Sequence, residues 1–332
     1  MSDNRTMQKI LFPAKTVRLL AFLPLWLSLA ACASPTPLPV AAPTPTAPPT
    51  GPVDDFLVIG YLPDYRPLDP EVGAYLTDLV YFSAEPLADG SLDASRLDPS
   101  TLAAMQAMKA AYGTRLHVSL GGYGRSDGFG PMVTAPDARQ RFITELLAFA
   151  SQNNLDGIDF DWEFPANAAE VEGYQAVMDA VHAAGLTVSV ALYPYPDLDL
   201  GPYRNVDRVH IMSYDRGERH ATYEQAVADL DFFLQGGIPA ERLALGMPFY
   251  GRDTTTYAPY TYADIVQAYA PATNVDETGG IYFNGRATLQ AKTCYALQNG
   301  FGGVMIWELG QDAPGEASLL PTVAAAASGN CP

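Results

Sequence analysis

Basic side chains are scarce in this chain: 19 Lys and Arg stand against 37 Asp and Glu, a formal net charge of −18 over 332 residues. That balance speaks against nucleic acid and anionic membrane surfaces as partners, because both are held by basic patches. A neutral polymer is not repelled. Cysteine is scarcer still, with 3 residues in all. No CxxC or His/Cys metal spacing occurs, and His117, His182, His210 and His220 show no ligand spacing either. Neither a metal nor a cofactor is therefore expected. His117 and His210 lie in strand-like runs and read as satisfied core histidines. No glycine-rich phosphate fingerprint follows the first strand-like run, which weakens a dinucleotide fold. A membrane-spanning run is missing as well. The apolar stretch LLAFLPLWLSLAA, residues 19–31, is too short and is broken by Pro24.

That stretch suits the core of a signal peptide instead, since Arg5, Lys9, Lys15 and Arg18 precede it. It ends in Leu29-Ala30-Ala31-Cys32, which resembles a bacterial lipobox. Residues 1–31 are then the leader, and Cys32 is the lipidated first residue of the mature chain. An ordinary secretory signal ending near Ala31 is the alternative. Residues 32–53 form a Pro/Thr-rich linker, SPTPLPVAAPTPTAPPTGPV from Ser34 onward, which cannot bury a core and favours extended chain. The protein is expected to be exported and lipid-anchored in a bacterial cell envelope, or else secreted. In that compartment Cys294 and Cys331 can pair as a disulfide.

From residue 54 to 332 short apolar runs alternate with helical patterns. The strand candidates are FLVIGYLP (56–63), LVYFSA (79–84), RLHVSLGG (115–122), LDGIDFDWE (155–163), LTVSVALYP (186–194), VDRVHIMSYD (206–215), LALGMPFYG (243–251) and GGVMIWE (302–308). Between them lie PSTLAAMQAMKAAYG, PDARQRFITELLAFASQNN and EVEGYQAVMDAVHAAG; in the second, Phe142, Leu146 and Phe149 form one stripe with Ile143 and Leu147 beside it. Strands alternating with such helices imply parallel βαβ units. Eight units fit an α/β fold of the (β/α)8 TIM-barrel type better than an open sheet.

The stretch LDGIDFDWEFP, residues 155–165, carries three carboxylates at period two: Asp159, Asp161 and Glu163. In a barrel Ile158, Phe160 and Trp162 face the helices, and the acids point inward, rising toward the C-terminal mouth where active sites of this fold sit. Buried carboxylates without partners are costly, and no Lys or Arg lies in the motif, so an ion-paired structural network explains the row poorly. Alternate strand residues are about 6.6 Å apart. Two charges at that distance repel by about 2.5 kcal/mol at an effective dielectric near 20. Not all three acids can stay ionised. Glu163, the outermost, is best placed to offer the retained proton to a substrate as a general acid, with Asp161 and Asp159 tuning and orienting it.

DGIDFDWE resembles the DGxDxDxE signature of glycoside hydrolase family 18, the chitinase family. SLGG (119–122), MSYD (212–215), MPFYGR (247–252) and Trp307 resemble that family's motifs on strands three, six, seven and eight. The resemblance runs from about residue 56 to 315 and by itself implies the (β/α)8 fold. It implies retaining hydrolysis without an enzyme nucleophile, in which Glu163 protonates the glycosidic oxygen and the substrate's 2-acetamido oxygen attacks the anomeric carbon. Asp161 would then orient the acetamido N–H, and Tyr214 would bond its carbonyl. Asp215 would contact the sugar near the cleaved bond, and Trp307 would form the floor. Taken alone, Trp307 also reads as core filling. Tyr61, Phe82, Tyr250 and Arg252 are further cleft candidates at or near strand ends.

One departure concerns the interval between strands seven and eight, where many members insert an α+β subdomain. Here the seventh helix, RATLQAKTCYALQNG, takes part of it and leaves only residues 253–284. The cleft wall should be low or absent. The expected substrate is chitin or chitooligosaccharide, handled by a monomer. The N-glycan core, peptidoglycan sugars, or a silent chitin-binding lectin of the same fold are the competing readings.

Overall fold

The computed structural model describes residues 56–332 apart from 196 and 197. The leader, Cys32 and the whole linker, residues 1–53, lie outside the described residues. Eight strands form the barrel: β1 (Leu57–Pro63), β2 (Asp78–Pro86), β3 (Arg115–Gly121), β4 (Gly157–Asp161), β5 (Thr187–Leu192), β6 (Arg208–Ile211), β7 (Leu243–Pro248) and β8 (Gly303–Trp307). All neighbouring pairs are parallel, in the order β1-β8-β7-β6-β5-β4-β3-β2, and the pairing of β1 with β2 closes the ring. Closure removes every sheet edge.

Helices pack outside: α1 (Pro99–Tyr112), α2 (Phe129–Thr134), α3 (Pro136–Gln152), α4 (Ala168–Ala183), α5 (Tyr223–Gln235), α6 (Tyr262–Tyr269), α7 (Arg286–Gln298) and α8 (Leu320–Ala327). Their ends are written locally. Asp98 accepts from the Ser100 amide ahead of α1, Pro99 fills the first helical position, and Gly113 ends the helix at φ 77°. Thr222 and Gln225 form a reciprocal capping box on α5. The buried stripe of α3 is Phe142, Leu146 and Ala150; Phe149, expected in it, is only partly covered. As expected, Ile158, Phe160 and Trp162 join the core between strands and helices, with Trp162 stacked on Phe129 at 4.9 Å.

Three expected strands differ in extent. β4 ends at Asp161 and β6 at Ile211, so Glu163, Tyr214 and Asp215 stand on the loops beyond; Asp215 takes a left-handed φ of 61° that strand pairing does not allow. The run 243–251 splits after Pro248. Tyr250–Asp253 leaves the barrel and pairs with Pro259–Thr261 and Ile281–Tyr282, which also pairs with Glu277–Thr278, in an antiparallel sheet carrying α6. The insertion is thus reduced rather than absent. Cys294 of α7 is disulfide-bonded to Cys331, with Cα atoms 5.7 Å apart, and ties the tail after α8 to the barrel.

Candidate active site

At the C-terminal mouth of the barrel lies a cleft of ≈ 520 Å³ whose lining includes Asp161, Glu163, Tyr214, Asp215, Arg252 and Trp307. The acid row of β4 runs up from the barrel interior into it, and each member has a different environment. Asp159 is fully buried and saturated. Its Oδ2 accepts from Tyr61 at 2.8 Å and Ser119 at 2.9 Å, its Oδ1 accepts from Ser189 at 2.7 Å, and Nδ1 of His210 lies 3.2 Å away. Burial pushes its carboxyl up, but His210, Ser189 and Tyr61 outweigh this and hold it below its ordinary range.

Asp161 is different. It is 5 % exposed, and its Oδ1 finds no hydrogen-bond partner among the described residues. Burial, then the charges of Glu163 and Asp159, push its carboxyl well up. Glu163, half-buried at the cleft surface, is raised by burial. Both carboxyls above Asp159 are thus raised, Asp161 by burial and by like charge on either side, Glu163 by burial. Asp159 does not line the cleft; it acts from beneath.

The glycine pair of SLGG explains how the row is approached. Gly122 has φ 99°, and a Cβ there would meet the Phe82 ring at 2.2 Å; its amide donates to the Asp161 carbonyl at 2.6 Å. Ser119 of the same motif is the donor already described at Asp159. One short motif thus supports two members of the row.

The opposite wall comes from the loop after β6. Tyr214 is 7 % exposed and lines the cleft; burial, then Asp161, push its phenol well up, so it is a proton donor at any ordinary pH. Asp215 receives the Arg252 fork at 2.6 and 2.7 Å. Burial opposes its charge, yet His220, 3.4 Å from Oδ1, and Arg252 hold it well below the usual carboxylate range. Trp307 ends β8 and meets Phe82 and Tyr61 edge-on at 4.9 and 5.7 Å, so Tyr61 and Phe82 shape the floor on which it sits. Tyr250 is not part of the lining. It is buried behind Tyr214, ring centroids 6.2 Å apart, because the insertion strand turns it inward.

Sequence reasoning missed Tyr65, Tyr123, Arg125 and Tyr193, which also line the cleft. Tyr65 and Tyr123 are 61 % and 91 % exposed just past β1 and β3; an aromatic directly after a strand's C-terminal end was the available signal. Arg125 bonds Asp64 and Ser83 and lies over the Phe82 ring at 5.2 Å. His210 is buried, as read, but not fully satisfied: its Nδ1 meets Tyr61 and Asp159 of the site, while Nε2 finds no hydrogen-bond partner among the described residues. Among the described residues no cluster of His, Cys, Asp or Glu could hold a metal ion, and no helix is long and apolar enough to cross a membrane.

A closed parallel barrel with a three-acid row rising into its C-terminal cleft narrows the possibilities, and the family model decides among them. The model of glycosyl hydrolases family 18 matches residues 58–312. The chain belongs to that family. It is 24 % identical to a protein named probable chitinase 2 of Drosophila melanogaster, over 79 % of this chain and 73 % of that one, and 24 % identical to chitinase 1 of Aphanocladium album, over 63 % and 64 %. Among solved structures it resembles the family 18 chitinase ChiB of Flavobacterium johnsoniae, with TM-score 0.73 and 27 % identity over 83 % of this chain and 97 % of that one. A chitinase of Bacteroides thetaiotaomicron matches at TM-score 0.72 and 25 % identity, over 82 % and 96 %. Membership of family 18, with chitinases among both its relatives and its structural neighbours, identifies this chain as a glycosidase.

Proposed function

We propose that this family 18 glycosidase cleaves β-1,4-linked N-acetylglucosamine polymers or oligomers, chitin and chitooligosaccharides, using the substrate's acetamido group as the nucleophile. The observation that carries the reading is Asp161: a buried carboxyl with a free acceptor oxygen, one step down the row from a cleft-surface acid. A buried acceptor without a partner is costly and suits a ligand N–H. An acetamido N–H supplies it.

In this reading Glu163 gives its proton to the glycosidic oxygen as the bond to the anomeric carbon breaks. The acetamido oxygen closes on that carbon from the other face. Asp161 accepts from the acetamido N–H and stabilises the oxazolinium charge as it grows, while Tyr214 donates to the acetamido oxygen and aims it. Water, deprotonated by Glu163, then opens the ring. Two displacements at one carbon retain the β-configuration. Trp307 supplies a flat apolar floor for the reacting sugar, and Asp215 a fixed acceptor beside it.

Proton NMR of fresh product from N-acetylchitotetraose, read before mutarotation, should show the β-anomer first. A tetrasaccharide bearing a free amine at the sugar to be cleaved should not be cut there. Net inversion, or efficient cleavage at the deacetylated sugar, overturns the mechanism.

We also propose that Cys32 carries lipid and anchors the catalytic domain in a bacterial envelope through its proline-rich spacer. The support is the LAAC stretch following a basic and apolar leader. In a bacterial host the wild type should partition into membranes, and Cys32→Ser should not. Release of unmodified mature protein as a soluble exported species refutes the anchor.

A further inference from the structure

The mechanism leaves one buried charge unused. Lys292 of α7 is 0 % exposed, and among the described residues it pairs with no carboxylate. Its Nζ donates to the Ala221 carbonyl at 2.9 Å and to Asn284 Oδ1 at 2.7 Å. Asn284, also buried, donates its own amide to the same Ala221 carbonyl at 2.7 Å. Two buried donors thus converge on one backbone oxygen. A cation buried for no more than one carbonyl and one amide needs a reason beyond stability, since an apolar residue costs less there.

The reason lies in what Ala221 belongs to. It sits in the loop between β6 and α5 that carries Tyr214 and Asp215. The loop closes on itself where the Arg216 amide donates to the His220 carbonyl at 3.2 Å. His220 is fully buried, its ring tilted on Tyr250 at 5.1 Å, with Nδ1 beside Asp215. Beyond Ala221 the chain enters the capping box of α5. The loop is therefore held at both ends, and the Lys292–Asn284 pair grips it between the buried histidine and the helix start. Asp215, at φ 61°, holds a conformation that a non-glycine residue keeps only when its surroundings enforce it.

We propose that Lys292 is a positioning residue for the glycosidase reaction: with Asn284 it fixes the Ala221 carbonyl and so holds the loop that delivers Tyr214 and Asp215 to the cleft. The inference rests on the acetamido-assisted reading for what those two side chains do. Lys292 itself touches no substrate; it lies behind the wall of the cleft. Its action is on kcat, because Tyr214 and Asp215 aim groups at the reacting carbon and a misplacement of about 1 Å costs roughly 100-fold.

Lys292→Met keeps the stem and removes the donors. On N-acetylchitotetraose, kcat per folded molecule should fall by about 10- to 100-fold with KM changed by less than about threefold. The Arg216 amide should exchange faster with deuterium. In an Asp215→Asn background the same substitution should cost less than about threefold, since the loop's cargo is already impaired. Asn284→Ala removes one of the two donors and should give a smaller kcat loss of the same kind, which keeps the test open if Lys292→Met does not fold. Unchanged kcat per folded molecule with only a lower Tm, or full multiplicative loss on top of Asp215→Asn, overturns the proposal. Failure of the acetamido reading looks different: the wild type then cuts the deacetylated sugar, whatever Lys292 does.

Discussion

The barrel holds two clusters of buried acid, one at each end. At the N-terminal end Asp78, the first residue of β2, is fully buried and surrounded by basic side chains: the Arg115 fork at 2.9 and 2.8 Å, His117 at 2.8 Å and Arg208 at 2.7 Å. Burial opposes its charge, but Arg115, His117 and Arg208 overwhelm that and hold its carboxyl far below the ordinary range. At the C-terminal end three acids share, among the described residues, a single basic partner, His210. One cluster is over-compensated and the other under-compensated. The first closes the bottom of the barrel, where this fold places stability; the second keeps acceptors and a proton available at the top, where it places chemistry. Buried charge is therefore not one kind of evidence. What separates the two clusters is whether every oxygen is answered.

The largest expected effect breaks the upper cluster. Glu163→Gln keeps the shape and removes the transferable proton, so hydrolysis of an unactivated chitooligosaccharide should fall by about 10² to 10⁴ while binding survives. Calorimetry with the uncleaved oligomer and steady-state rates check both halves. Breaking the lower cluster should act the other way round. Asp78→Ala leaves Arg115, Arg208 and His117 around an unanswered site and should destabilise by about 3–5 kcal/mol. The folded fraction should keep its kcat, because no cleft residue touches Asp78. Chemical denaturation alongside active-site titration would show a loss of kcat if the two ends were coupled.

The two clusters were not equally legible in the sequence. The upper one is local: three acids at period two within eleven residues, flanked by large apolar residues, can be read from alternation alone. The strand and helix order was legible for the same reason, since apolar periodicity is local. The lower cluster is assembled from β2, β3 and β6, residues up to 130 positions apart, and only strand register brings Asp78 beside Arg115. The partners of Asp159 were hidden in the same way, because Tyr61, Ser119, Ser189 and His210 come from four other strands. Tyr250 was misread because its neighbour Arg252 does reach the cleft, and the chain's departure into the insertion sheet leaves no mark on period two.

Lys292 sharpens the comparison from the opposite charge. It is a buried cation answered only by neutral groups, and burial brings its pKa from 10.5 to about 7 against the opposing pull of Asp276, Asp229 and Glu224. The folded form gives up its proton near pH 7, whereas the unfolded chain keeps it to about 10.5. The unfolded state then binds more protons above pH 7, and stability should rise with pH across that window, by about 2–3 kcal/mol between pH 6 and 9. Lys292→Met should flatten that rise. Equal slopes for wild type and variant would mean that the lysine is not held as a buried, readily neutralised cation.

The smallest effect is the most discriminating, because its sign differs between the ends. The Asp161 carboxyl is raised in the fold above its ordinary 3.8, by burial first and then by Glu163 and Asp159. Between pH 3.8 and the raised value the unfolded chain has released this proton and the folded protein has not, so stability falls as pH climbs through that window. Asp161→Asn removes the cost. At pH 7 it should be inactive and more stable than wild type by about 1 kcal/mol, as expected where a site holds strain for function. The gain should shrink to nothing as pH drops below 3.8. Asp78 is depressed below 3.8, so its stabilisation is present above that value and is lost only as pH falls toward its folded pKa. Asp78→Asn should therefore show a deficit at pH 7 that starts to shrink only below about 3.8. Urea titrations of both variants from pH 3 to 8 should give two curves on opposite sides of wild type, the Asp161→Asn curve merging with it by about pH 3.8 and the Asp78→Asn curve only beginning to close below that value. A destabilised Asp161→Asn at pH 7 would mean that Asp161 is answered like Asp78, and that its free oxygen is not waiting for a substrate amide.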